Sequence, residues 1–117
     1  MGNGYKDLIV WQKAKSFCIG IYKLTEEFPK SELFGLVSQL RRAFVSIPSN
    51  IAEGSKRNTI KDQRQFYAVA YGSGAEIETQ LIIAKELFPK LEEKIKILEN
   101  NLAEVMRMLN RLRFSDY

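Results

Sequence analysis

Residues 91–112 read LEEKIKILENNLAEVMRMLNRL, and within them Leu91, Ile95, Leu98, Leu102, Val105, Leu109 and Leu112 recur at alternating steps of four and three. That spacing returns an apolar side chain to one side of an α-helix at every turn, so the stretch predicts a helix with a single heptad seam. Its charged residues fall on the remaining surface. A seam of this kind is stable only against other helices, and the rest of the chain must supply them.

Working back from this stretch, Pro89 closes the register of a third helix that carries Phe66, Ala70, Gly74, Ile77, Leu81, Ala84 and Phe88 inward. Thr59 and Asp62 have the spacing of a capping box at its start. A second helix, capped by Ser31, points Leu33, Leu36, Leu40, Phe44, Ile47 and Ile51 inward. Pro48 lies inside that pattern and removes one amide donor, so the helix either kinks or ends and restarts. The unchanged phase from Ile47 to Ile51 favours the kink, and Gly54 marks the exit. A first helix starts after Asp7 as N-cap and stops by Phe28, because Pro29 follows. Its expected stripe is Trp11, Ala14, Cys18, Ile21, Thr25 and Phe28. Strict alternation is nowhere sustained, and four amphipathic helices with short connections give an all-α, up-down-up-down antiparallel four-helix bundle. Phe-Pro-Lys ends both the first and third helices, at 28–30 and 88–90, through shared helix-stop chemistry.

With 117 residues, 45% of them hydrophobic and 27% charged, the chain suits one bundle domain over residues 1–117, with 1–6 a loose N-terminus. The absence of histidine rules out a Ser-His-Asp triad, a histidine general base and the Glu-x-x-His di-iron motif. A single cysteine, Cys18, can build neither an internal disulfide nor a cysteine zinc site. Glu76 and Glu78 are about 200° apart on a helix and cannot converge on one ion. Tyr71-Gly72-Ser73-Gly74 does not fit a dinucleotide fingerprint and follows no strand. The expectation is therefore a protein that is not an enzyme and needs no cofactor and no metal. No apolar run approaches a membrane span, the N-terminus lacks signal-peptide order, and a cytoplasmic location is expected.

The strings Asp7-Leu8-Ile9-Val10-Trp11-Gln12-Lys13-Ala14, Phe34-Gly35-Leu36, Gln39-Leu40-Arg41-Arg42-Ala43, Ser46-Ile47-Pro48-Ser49-Asn50-Ile51-Ala52-Glu53-Gly54 and Gly72-Ser73-x-x-Glu76 resemble the bacterial four-helix-bundle family of the 23S rRNA intervening-sequence proteins. The likeness runs from Asp7 to about Leu87. It implies a left-handed bundle that assembles as a ring, a pentamer in relatives, with a basic surface suspected of contacting nucleic acid. A related accessory protein of diversity-generating retroelements is similar in fold and works with a reverse transcriptase and its nucleic acid.

The residues themselves suggest where such contacts would fall. The net charge is +4, and the segment from Leu36 to Arg64 holds six basic residues against two acidic ones. Arg42, on the outward side of the second helix, and Lys56, Arg57, Lys61 and Arg64, around the entry to the third, are the expected contacts to RNA or DNA phosphates. The alternative is a solvated basic face. Arg41 lies on the flank of the inward stripe, where an ion pair to Glu53 or Glu76 is expected. Tyr67 and Tyr71, near Arg64, are the aromatic residues expected to be exposed beside this segment. Phe34, Val45, Ala52, Ile82 and Ile83 remain apolar after each bundle seam is filled and predict a homo-oligomer interface. A second reading is a protein-protein scaffold, with Arg107 and Arg111 meeting an acidic client and Glu104 within one turn of Arg107.

Overall fold

The computed structural model describes residues 4–114. A 3-10 turn over Gly4–Asp7 leads into α1 (Ile9–Thr25), and another over Lys30–Glu32 precedes α2 (Leu36–Ser55). Then come α3 (Ile60–Leu87), a third 3-10 turn over Pro89–Leu91, and α4 (Glu92–Arg113). No strand occurs among the described residues. Each helix packs on its neighbour in the chain and α4 closes on α1, while the backbones of the diagonal pairs stay apart. The expected up-down-up-down bundle is the fold. Its long dimension is 44 Å, close to the ~42 Å of a 28-residue helix such as α3 at 1.5 Å per residue.

The α4 seam is buried as its spacing predicts: Ile95, Leu98, Leu102, Val105 and Leu109 are in the core, and only the end residues Leu91 and Leu112 are half-buried. On α1 the stripe is rotated. Val10, Phe17 and Leu24 are buried where Trp11 and Cys18 were expected, and those two are only half-buried. The reason is that α1 lies between α2 and α4, so its inward direction falls between the two contact faces. Asp7 sits in the first 3-10 turn and Leu8 takes the N-cap position, without a side-chain cap. Ser31 likewise lies in a 3-10 turn, and α2 begins after Gly35, which leaves Leu33 exposed. Thr59 does cap α3, its hydroxyl oxygen accepting the Asp62 amide at 3.1 Å. Tyr67 replaces Phe66 in the core. Phe28 and Phe88 stack with ring centroids 4.9 Å apart, bringing the two Phe-Pro-Lys turns together at one end.

The α2/α3 pair is the most extensive packing in the bundle, and its seam is built from the string Ser46 to Gly54. Ser73 donates its hydroxyl to Ser46 at 2.9 Å, and the Asn50 amide donates to the Ser46 carbonyl at 2.7 Å and hydroxyl at 2.9 Å. At Gly54 the helices come so close that a Cβ would lie 2.9 Å from Phe66 Cβ and 3.2 Å from the Gln63 carbonyl oxygen. Neither neighbour is the loose end of a flexible side chain. Gly54→Ala is expected to lower stability by about 1–3 kcal/mol through overpacking, despite alanine's better helix propensity. Urea unfolding followed by circular dichroism checks this, and a stabilised variant would show that the seam can open at no cost.

Pro48 neither ends nor restarts α2, which is continuous from Leu36 to Ser55. Proline lacks the amide that would bond the carbonyl four residues earlier, that of Phe44. The Cys18 thiol of α1 donates to this carbonyl oxygen at 2.9 Å. Burial pushes the Cys18 thiol up to about 12 from 9.0, so it stays protonated and able to donate. The pair is a mutual fit between helices: one backbone lacks a donor and the next helix supplies it.

Cys18→Ala is expected to cost about 1–3 kcal/mol, by lost packing and an unmet carbonyl. In a Pro48→Ala background, where an amide returns to Phe44, the cost of Cys18→Ala should shrink. A double-mutant cycle reads this coupling. Because the folded-state thiol titrates above its unfolded value, its contribution is full below pH 9 and disappears as pH rises towards about 12. The stability difference between the wild type and Cys18→Ala should narrow across that window.

Candidate nucleic-acid interface

Antiparallel packing places the start of α1, the end of α2, the start of α3 and the end of α4 at one end of the rod. Within residues 4–13, 50–65 and 104–114 there are nine lysines and arginines against four carboxylates. The remaining described residues hold nine of each. All the excess positive charge of the described chain therefore lies at this end, where the free amides at the start of α3 add to the field.

The α2–α3 turn is closed by backbone bonds from the Lys56 amide to the Glu53 carbonyl and from the Arg57 amide to that of Gly54. The Gln63 side chain, donating to the Arg57 carbonyl at 3.1 Å, holds it from the other side. Lys56 is exposed, its ammonium 5.6 Å from the Tyr5 ring. Arg57 lies 4.5 Å over Phe66 and pairs with Glu53 at 2.8 Å. Lys61 and Arg64 line an open groove of about 510 Å³ with Ile60, Gln65, Ala68 and Arg113. Arg64 donates to the Phe114 carbonyl at 3.3 Å. Four of the five expected phosphate contacts thus gather at one end. Arg42 does not join them. It is exposed 14 residues before Lys56, about 21 Å along α2, although two heptads of spacing keep both on the same side of that helix.

Arg113 was not legible as part of this cluster. Its guanidinium lies 3.9 Å over the Tyr71 ring and 4.5 Å from that of Phe114, and it lines the same groove as Lys61. Only the antiparallel return of α4 brings it beside the start of α3. Tyr71 is half-buried under this guanidinium, whereas Tyr67 is a core residue whose hydroxyl is raised in pKa by burial.

The ion pair expected for Arg41 is absent among the described residues. Its Nε donates to the Thr25 hydroxyl at 3.2 Å and its guanidinium stacks 4.3 Å over Tyr22, because the flank of α2 that carries it faces α1 and not α3. Glu53 is engaged by Arg57, one turn on in the same helix. Glu76 accepts from Gln80 at 3.3 Å, and Gln80 also reaches Gln39 at 3.5 Å. Gln80 is a buried amide that its inward phase did not reveal, since its position flanks the apolar stripe. Glu104 pairs with Lys13 of the neighbouring α1 at 3.0 Å, and Arg107 has no ion-pair partner among the described residues.

Phe34, Val45, Ile82 and Ile83 are exposed on the single chain and Ala52 is half-buried. They do not form one patch. Val45 and Ala52 share the side of α2 next to α1, Phe34 lies in the turn before that helix, and Ile82 and Ile83 diverge by about 100° on α3. Among the described residues no three histidine, cysteine or carboxylate side chains lie together as metal ligands. No described helix is long and apolar enough to cross a membrane.

These features define a small antiparallel four-helix-bundle protein with a cationic end. Residues 6–111 match the model of the 23S rRNA-intervening sequence protein family, and the chain belongs to that family. No curated protein matches the chain.

Proposed function

We propose that the protein is a non-enzymatic homo-oligomer, a pentameric ring, that binds RNA or DNA through phosphates with little sequence preference. The observation that carries this reading is the confinement of all excess positive charge to one end of the rod. One copy offers a modest field, and an assembly repeats it in every subunit and raises it in proportion. Lys56, Arg57, Lys61 and Arg64 form the contact zone, with Arg113 beside them. Arg42, on the same side of α2 as Lys56, extends the track along the rod. Stacking of Arg57 and Arg113 on aromatic rings fixes their planes while leaving guanidinium edges for phosphate oxygens. The family's name, which ties it to sequences intervening in 23S rRNA, supports a nucleic-acid partner.

Affinity for structured RNA and for duplex DNA should fall steeply with salt, each neutralised phosphate adding about 0.7–0.9 to the log–log slope. Replacing Arg42, Lys56, Arg57, Lys61 and Arg64 together by Gln should flatten the slope by about 3.5 to 4.5 while leaving the helical content intact. Fluorescence anisotropy titrations measure both. If the two proteins bind equally, or neither binds at about 50 mM salt, where phosphate contacts are strong, the reading fails and a protein-binding scaffold takes its place.

A further inference from the structure

The side of the bundle shared by α1 and α2 is unfinished. An open groove of about 320 Å³ runs there between Cys18, Ile19, Tyr22, Lys23 and Phe44, and its surface is almost wholly apolar. Ile19 is 51% exposed, and Val45, one residue along α2 from Phe44, is 52% exposed. The volume exceeds the roughly 150 Å³ that accommodates a benzene ring in an apolar cavity.

The same chain carries a side chain of matching shape that it does not use. Phe34, in the turn before α2, is 91% exposed, the most exposed of the large hydrophobic residues. It precedes Gly35, whose backbone is not helical (φ −108°, ψ −108°), and at this exposure its ring fills no groove of its own chain. A phenylalanine of this exposure gains substantially from burial, because an aromatic side chain can hide 150–250 Å², or about that area, on insertion.

Charge complements shape. Lys23 lines the groove and Arg41 lies over its Tyr22, while Glu26 is one turn from Tyr22 on the same side of α1, so the charge within the groove itself is that of Lys23. Glu32 precedes Phe34 by two residues. Neither Lys23 nor Glu32 has an ion-pair partner among the described residues. Within one molecule the aromatic and its acid sit apart from the groove and its cation; between two molecules they can meet.

On the reading above that the protein self-associates, we propose that Phe34 of one copy seats in the α1/α2 groove of a second copy, with Glu32 against that copy's Lys23. The contact joins two different patches, so it is head-to-tail. An open chain of copies leaves one unused Phe34 at one end and one unused groove at the other until a ring closes. This accounts for Phe34, places Val45 beside the contact and assigns no role in it to Ala52, Ile82 or Ile83.

Sedimentation equilibrium of the full chain tests the contact. The wild type should assemble, and Phe34→Ala and Ile19→Lys should each weaken assembly at least tenfold with unchanged circular dichroism. Val69→Lys, at an exposed apolar position on α3, should not. Glu32→Lys should weaken assembly, and adding Lys23→Glu should restore it. Mixing Phe34→Ala, which keeps the groove, with Ile19→Lys, which keeps the aromatic, should yield a one-to-one dimer that neither forms alone. A wild type that stays monomeric would overturn both this contact and the self-association reading. An assembled wild type that loses nothing in Phe34→Ala, or a mixture that forms no dimer, would overturn the contact alone.

Discussion

The close approach of α2 and α3 at Gly54 is the constraint on which the rest of the bundle depends. With no side chain there, the α2 backbone settles against Phe66 and Tyr67, and that contact sets how far one helix slides along the other. Every facing pair beyond it follows in step: Ser46 opposite Ser73, then Gln39 opposite Gln80. A shift by one turn would misplace each of these bonds and drive Phe66 into backbone. Close-packed helices choose between discrete arrangements for this reason, and the residues that resemble the family are largely the ones that make this choice.

The register has an electrostatic consequence. Because α2 exits and α3 enters at the same level, Lys56, Arg57, Lys61 and Arg64 surround one turn, and the return of α4 adds Arg113 to them. Some of that charge is already committed. Arg57 answers Glu53, and Arg64 meets a carbonyl at the end of α4. Lys56 and Lys61 are the more open groups, so long-range attraction there is shared between exposed ammonium groups and aromatic-backed guanidinium planes. The opposite end, where Phe28 meets Phe88 at a tilt and Phe34 is exposed, carries acidic and basic residues in nearly equal number, so its net charge is small.

Individual residues show how much of this was legible beforehand. The α4 seam, the Thr59 cap and the four-helix topology follow from local periodicity and turn chemistry, which operate over a few residues. Cys18 was expected in the inward stripe; its partner, the carbonyl left without a donor by Pro48, lies 26 residues away and belongs to another helix. Arg41 was correctly placed on a flank but given the wrong neighbour. A helical wheel fixes a side chain's direction and leaves open which helix lies on that side, so Thr25 and Tyr22 could not be told from Glu53 or Glu76. Arg42 was grouped with Lys56 by nearness in sequence, although 14 helical residues separate them by about 21 Å.

The amino-acid sequence by itself determined that this is an all-helical antiparallel bundle, which stripe of α4 is buried, and that Lys56, Arg57, Lys61 and Arg64 gather around the α2–α3 turn. Apolar period, caps and breakers decide these through interactions local to each helix. Only the tertiary structure decided that Phe34 is left outside while a groove stays open between α1 and α2, that Arg113 joins the basic end, and that Cys18 completes a helix interrupted by proline. Each of those depends on the axial register and rotation of one helix against another. That choice is made by the packing of many side chains at once, and no segment read alone contains it.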